Sequence, residues 1–113
     1  MNGILVSRST LLPAPSIVPS SNNVISRAVV AGNKARLCIP LYAGIKAGDV
    51  VDAEVATDGQ WIFFGQEVVT SIDIMIEFKL FDALFASPAT TATASYSVNN
   101  GNRSELAVYT IED

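Results

Sequence analysis

Enzyme chemistry needs a few side-chain types brought together, and one of the commonest, histidine, is absent from this chain. Without imidazole there is no Ser-His-Asp or Cys-His nucleophile pair and no metal site with a histidine ligand. The single cysteine, Cys38, has Arg36 two residues away on the same face of a strand, and a neighbouring cation can lower a thiol pKa and activate it. A small packed or semi-exposed thiol is the plainer role, since alternation turns Leu37 and Ile39 inward and Cys38 the other way. Carboxylates pair at Asp52 with Glu54 and at Asp73 with Glu77, each pair on the outward side of one strand. Acid-base glycosidase chemistry wants two carboxyls facing each other across a cleft, so these read as solvated surface. Residues 99–102 and Asp58 with Gly59 offer oxygen ligands but lack the alternating acidic spacing of a calcium loop, and turn formation explains both. Asn102-Arg103-Ser104 fits the glycosylation sequon, which matters only in a secreted, glycosylating context. The expectation is a protein that is not an enzyme, with no catalytic, metal-binding or cofactor-binding residues and no cofactor.

Aromatic residues are the remaining candidates. Tyr42, Trp61, Phe63 and Tyr109 are the side chains to inspect for ligand or partner contacts, because sugars and protein surfaces are commonly held on aromatic faces. For Trp61 the favoured role is core packing, since sandwiches usually bury one large aromatic between their sheets.

Composition narrows the partners. The chain has 113 residues, enough for one domain. Half of it is apolar and only 16% is charged, so apolar side chain exceeds what one core needs and part of it is expected at an interface. A net charge of −4, with seven basic residues scattered singly, leaves no positive stripe for nucleic acid. No apolar run approaches the roughly 20 residues of a spanning helix, so no integral membrane segment is expected. Arg8 and Ser9 interrupt the N-terminal apolar residues and Pro13, Pro15 and Pro19 follow. No secretory signal is read there, which leaves the cytoplasm or export by a signal-independent route.

The elements that must hold these residues are strands. Residues 1–21 read as an extended arm containing Pro and Ser, with apolar clusters at Ile4, Leu5 and Val6 and at Leu11 and Leu12, and residues 22–113 as the domain proper. In residues 72–80, Ile72, Ile74, Ile76, Phe78 and Leu80 alternate with polar residues and Met75, placing five apolar side chains on one face with Phe78 central. Residues 91–98 repeat the pattern with Ala92, Ala94, Tyr96 and Val98 facing in, and one wet face implies antiparallel sheets. Residues 99–102 turn the chain into a return strand over 105–111. Upstream, Ala35, Leu37, Ile39 and Leu41 alternate inward, as do Val51, Ala53 and Val55, between turns at 47–49 and 57–59. Residues 61–69 are apolar on both faces and read as a strand covered on both sides, with Gly65 marking a bulge or a close backbone approach. The one helical signal is a single turn within 81–87, stopped by Pro88.

This order of signals resembles the immunoglobulin-like repeats of large bacterial surface proteins and adhesins of the Pseudomonas type. The resemblance rests on Leu12-Pro13-Ala14-Pro15, on the apolar strand from Leu37 leading to Ala47-Gly48-Asp49, and on Tyr96-Ser97-Val98, Gly101, Ser104 and the alternation from Leu106 to Ile111. It implies an antiparallel immunoglobulin-like β-sandwich with Greek-key-like connections and no family catalytic residues to carry over.

Two functions follow. The first is a non-catalytic structural or interaction module that associates with itself or another protein surface through the arm (Ile4, Leu5, Val6, Leu11, Leu12) or through sheet edges. For the arm, the competing reading is that it folds back along its own sandwich as the first strand. The second function is a monomeric carbohydrate- or receptor-binding domain, lectin-like or a small toxin component, working through loop aromatics.

Overall fold

The computed structural model describes residues 11–113, which are mostly β-strand and form two sheets packed as a sandwich. In chain order the elements are β1 (Ser16–Val18), β2 (Val24–Ser26), α1 (Arg27–Val30), β3 (Arg36–Ile39), β4 (Val50–Thr57), β5 (Ile62–Val68), β6 (Ile76–Lys79), α2 (Asp82–Phe85), β7 (Thr91–Val98), β8 (Asn102–Arg103) and β9 (Ala107–Glu112). The smaller sheet has the order β1-β3-β6. The larger runs β2-β9-β7-β4-β5, with β8 pairing to β7 beside that path.

Alternation sets the core. Val51, Ala53 and Val55 of β4 lie opposite Val98, Tyr96 and Ala94 of β7, and all six side chains are buried. The smaller sheet lays Ile17, Leu37 and Phe78 against them in one row across β1, β3 and β6. Each Val, Ile, Leu or Phe side chain among them contributes about 1.5–3 kcal/mol on burial. Asn99 and Asn100 take positive φ (53° and 55°) in the turn after β7, as short polar side chains permit. The helical turn before Pro88 is α2.

Several expectations change. Of residues 72–80 only Ile76–Lys79 is strand, and Ile72 and Ile74 are exposed while Phe78 and Leu80 are buried. The Ser71 hydroxyl accepts the Asp73 N–H (3.3 Å), a local bond that competes with the ladder, and the partner strand β3 is itself four residues long. The pairing of β2 with β9 is parallel, not antiparallel. Between β1 and β2 the chain crosses from one sheet to the other instead of reversing within one, so β2 enters the larger sheet alongside its last strand. The sequence showed no sign of α1, four residues capped by the Ser26 hydroxyl, which accepts the Val29 N–H (3.4 Å).

From residue 11 onward the arm belongs to its own sandwich. Leu12 donates its N–H to the Arg103 carbonyl and accepts from the Glu105 N–H, both at 2.9 Å, and β1 carries the fully buried Ile17. Leu11 stays exposed. Ile4, Leu5 and Val6 lie outside the described residues.

Candidate functional site: the open edge of the larger sheet

The four aromatic candidates separate. Tyr42 is buried and its hydroxyl donates to Asp49 Oδ2 (2.8 Å), which also accepts the Lys46 N–H (3.0 Å), while Asn99 donates to Asp49 Oδ1 (3.1 Å). Burial, followed by the hydrogen bond to Asp49, pushes the Tyr42 phenol well above its ordinary pKa. Tyr109 is also buried, and its hydroxyl accepts the Ile17 N–H (2.9 Å), tying the smaller sheet to the larger. Neither phenol can reach a ligand. Phe63 is half-buried and meets Phe78 edge-to-face with ring centroids 5.9 Å apart. Trp61, expected in the core, is 58% exposed. The space between the sheets is filled by Phe78, which lies so close to Gly65 that a Cβ there would sit 2.7 Å from its ring. Gly65 therefore serves close approach, and the β4–β5 register runs through it without a bulge. Trp61 stands just before β5, where Thr57 Oγ1 donates to its carbonyl (3.1 Å).

Trp61 introduces the one long strand edge without cover among the described residues. β5 lies at the end of the larger sheet, with β4 on one side and, among the described residues, no strand on the other. In an antiparallel strand, successive residues aim their N–H and C=O to opposite sides. Val69 donates to the Asp49 carbonyl and accepts from the Gly48 N–H, both at 2.8 Å, so Phe63, Gly65 and Glu67 point to β4 in turn. The backbone groups of Ile62, Phe64, Gln66 and Val68 point away, and no bond among the described residues reaches them. Their side chains lie on the outer face of the sheet, where Phe64 is 70% exposed and Ile62 and Val68 about half exposed.

A hollow flanks this edge at each end, apolar at one and mixed at the other. Trp61, Ile62, Phe64 and Phe81, with Leu84 beneath, line a groove of about 400 Å³. At the other end Val68, Ile74 and Met75, together with Glu67, Thr70 and Glu77, border a second hollow of about 270 Å³. Natural edge strands are usually blunted by Lys, Pro or a bulge. Over Ile62–Val68 there is none of these, and Glu67 is the one charge.

Elsewhere the polar candidates resolve into structure. Cys38, expected to face away from the core, is buried, and its thiol donates to Glu77 Oε2 (3.8 Å). Burial, and after it the Glu77 carboxylate, raises the thiol pKa against the opposing pull of Arg36, so the thiol is not activated. Asp52 accepts from Gln66 Nε2 (2.8 Å), and Asp52 with Glu54 stays on the outer face of β4. Asp58 accepts the N–H groups of Thr90 (2.7 Å) and Thr91 (3.0 Å) and the Thr90 hydroxyl, which draws its carboxyl down to about 2. No cluster of three or more potential metal ligands occurs among the described residues.

No family model, curated protein or solved structure matches the chain. The β5 edge is therefore judged on its own geometry. Ile62, Phe64, Val68 and Phe81 were not among the sequence candidates. Their signal was present in the apolar run Trp61-Ile62-Phe63-Phe64, which places large side chains on both faces of one strand. Only strand order shows that one of those faces lies at an open edge. No described helix is long and apolar enough to cross a membrane.

Proposed function

We propose that this protein is a non-catalytic interaction module that associates with copies of itself through the open edge of β5. The observation that carries this reading is the combination of backbone groups at Ile62, Phe64, Gln66 and Val68 that no described residue pairs with and exposed Trp61, Ile62, Phe64 and Phe81 beside them. An edge of this kind pairs with another strand, where main-chain bonds supply affinity and side-chain contacts supply selectivity. The arm is the weaker route, because from Leu12 onward its backbone is engaged at home.

The finer fold assignment belongs to the same proposal. We infer an immunoglobulin-like arrangement: β1-β3-β6 corresponds to the first, second and fifth strands of that fold, and β9-β7-β4-β5 to its other sheet with an added edge strand. A first strand divided between the sheets, with β2 parallel to the last strand, supports this. So does the resemblance to bacterial adhesin repeats.

Exposure of Trp61 in a groove favours a second reading, a carbohydrate- or receptor-binding domain. Against sugar stands the lining of that groove by Trp61, Ile62, Phe63, Phe64, Phe81, Ala83 and Leu84, which offers no side-chain acid or amide to hold hydroxyls. Light scattering after size exclusion separates the two. Self-association that Phe64→Lys abolishes supports the first, whereas a monomer that binds glycans through Trp61 replaces it with the second.

A further inference from the structure

We propose that the partner of β5 is β5 of a second copy, paired antiparallel about a two-fold axis at Gly65, so that two larger sheets join into one. This rests on the self-association reading above and names its register.

The outward-pointing residues, Ile62, Phe64, Gln66 and Val68, are spaced symmetrically about Gly65. Antiparallel pairing about that point sets Ile62 opposite Val68 of the second copy and Phe64 opposite its Gln66. Every outward residue then meets an outward residue, making four exchanging pairs and roughly eight main-chain hydrogen bonds. Moving the axis to Phe64 strands Val68, and moving it to Gln66 strands Ile62. Gly65 is the register that leaves none of the four unpaired.

The placement of charge is compatible with it. Glu67, the one charge on the strand, falls opposite Phe63 of the second copy. The two Glu67 residues are offset by four positions, about 13 Å along the strands, which exceeds the screening length of about 8 Å at physiological salt. The aromatic groove of Trp61 and Phe81 at one end of β5 meets, at the opposite end of its neighbour, a mixed hollow where Val68, Ile74 and Met75 sit beside Glu67, Thr70 and Glu77. The same contact occurs twice. An isologous pairing of this sort closes at the dimer, whereas an arm strand laid on the edge would repeat head-to-tail without closing.

The test uses the full chain in a concentration series, with mass by sedimentation equilibrium and amide exchange by NMR. The expected result is a mass that rises from monomer to dimer and stops. With it, exchange at Ile62, Phe64, Gln66 and Val68 slows roughly tenfold or more, while Phe63, Gly65 and Glu67, already bonded to β4, respond no further. Gln66→Pro removes an N–H that the monomer does not use, so it is expected to give a folded monomer; Phe64→Lys serves the same purpose if proline disturbs the strand. Leu5→Lys is expected to leave the dimer intact. Masses that climb past the dimer and collapse with Leu5→Lys would overturn the two-fold pairing in favour of the arm, with self-association retained. A dimer whose four edge amides exchange freely would overturn the pairing in favour of a face-to-face contact. A monomer at every concentration removes both this inference and the reading beneath it.

Discussion

The two ends of the larger sheet contain similar residues and treat them in opposite ways. At the β2 end, Ile25 and Ile111 are buried, the edge strand is three residues long, and α1 follows it at once. There Arg27 donates to the Phe85 and Ala89 carbonyls and to the Asp113 carboxylate, binding the first helix, the segment around the second and the C-terminus together. At the β5 end the edge is seven residues long, and Ile62 and Phe64 face outward with no described residue laid over them. Ile25 and Ile111 belong to the core between the sheets, whereas Ile62 and Phe64 lie on the outer face beside an open edge. Among the described residues the β2 end is covered and the β5 end is not.

The largest effect that probes this contrast is Ile25→Ala, which should cost about 2–5 kcal/mol because the closed end cannot collapse around the missing atoms. Urea unfolding measures it, and a loss under 1 kcal/mol would mean that the β2 end is as loosely covered as the other. Next comes Tyr109→Phe. It removes the acceptor of the buried Ile17 N–H and should cost about 1–3 kcal/mol, read as a shift in the denaturation midpoint at unchanged slope.

A pH effect sharpens the open end, where Asp58 fastens the turn before Trp61 to the start of β7. Its folded pKa of about 2 lies below the ordinary 3.8, so the contribution is present above 3.8 and is lost as pH falls through about 2. Stability should decline across that window, and Asp58→Asn should remove part of the slope. Parallel declines in the wild type and the variant would show that the Thr90 and Thr91 bonds do not carry this effect.

The smallest effect is Ile62→Ala, expected to change monomer stability by no more than about 0.5 kcal/mol because the side chain is already half exposed. A loss near that of Ile25→Ala would show that β5 is covered within its own molecule.

The strands that alternate cleanly were legible from sequence. In β4 and β7, period-two patterning placed Val51, Ala53, Val55, Ala92, Ala94, Tyr96 and Val98 inside, where they are found. Residues 72–75 misled because alternation alone does not supply a partner strand, and the short β3 ends before reaching them. Trp61 misled for a related reason: size favours the core, but the room between the sheets was taken by Phe78 beneath Gly65. Tyr42 and Tyr109 were read as ligand or partner contacts, yet both are buried and their hydroxyls serve Asp49 and Ile17. The candidate site itself depends on strand order, a long-range property that no local pattern encodes.

Trp61 is the single tryptophan, so its fluorescence reports on the open edge directly. We would record its emission maximum and its quenching by acrylamide from dilute to concentrated protein. The account predicts a solvent-exposed emission at low concentration that shifts to the blue and becomes shielded as the edges pair. An emission already buried at the lowest concentration, or one exposed and unchanged at the highest, would contradict it.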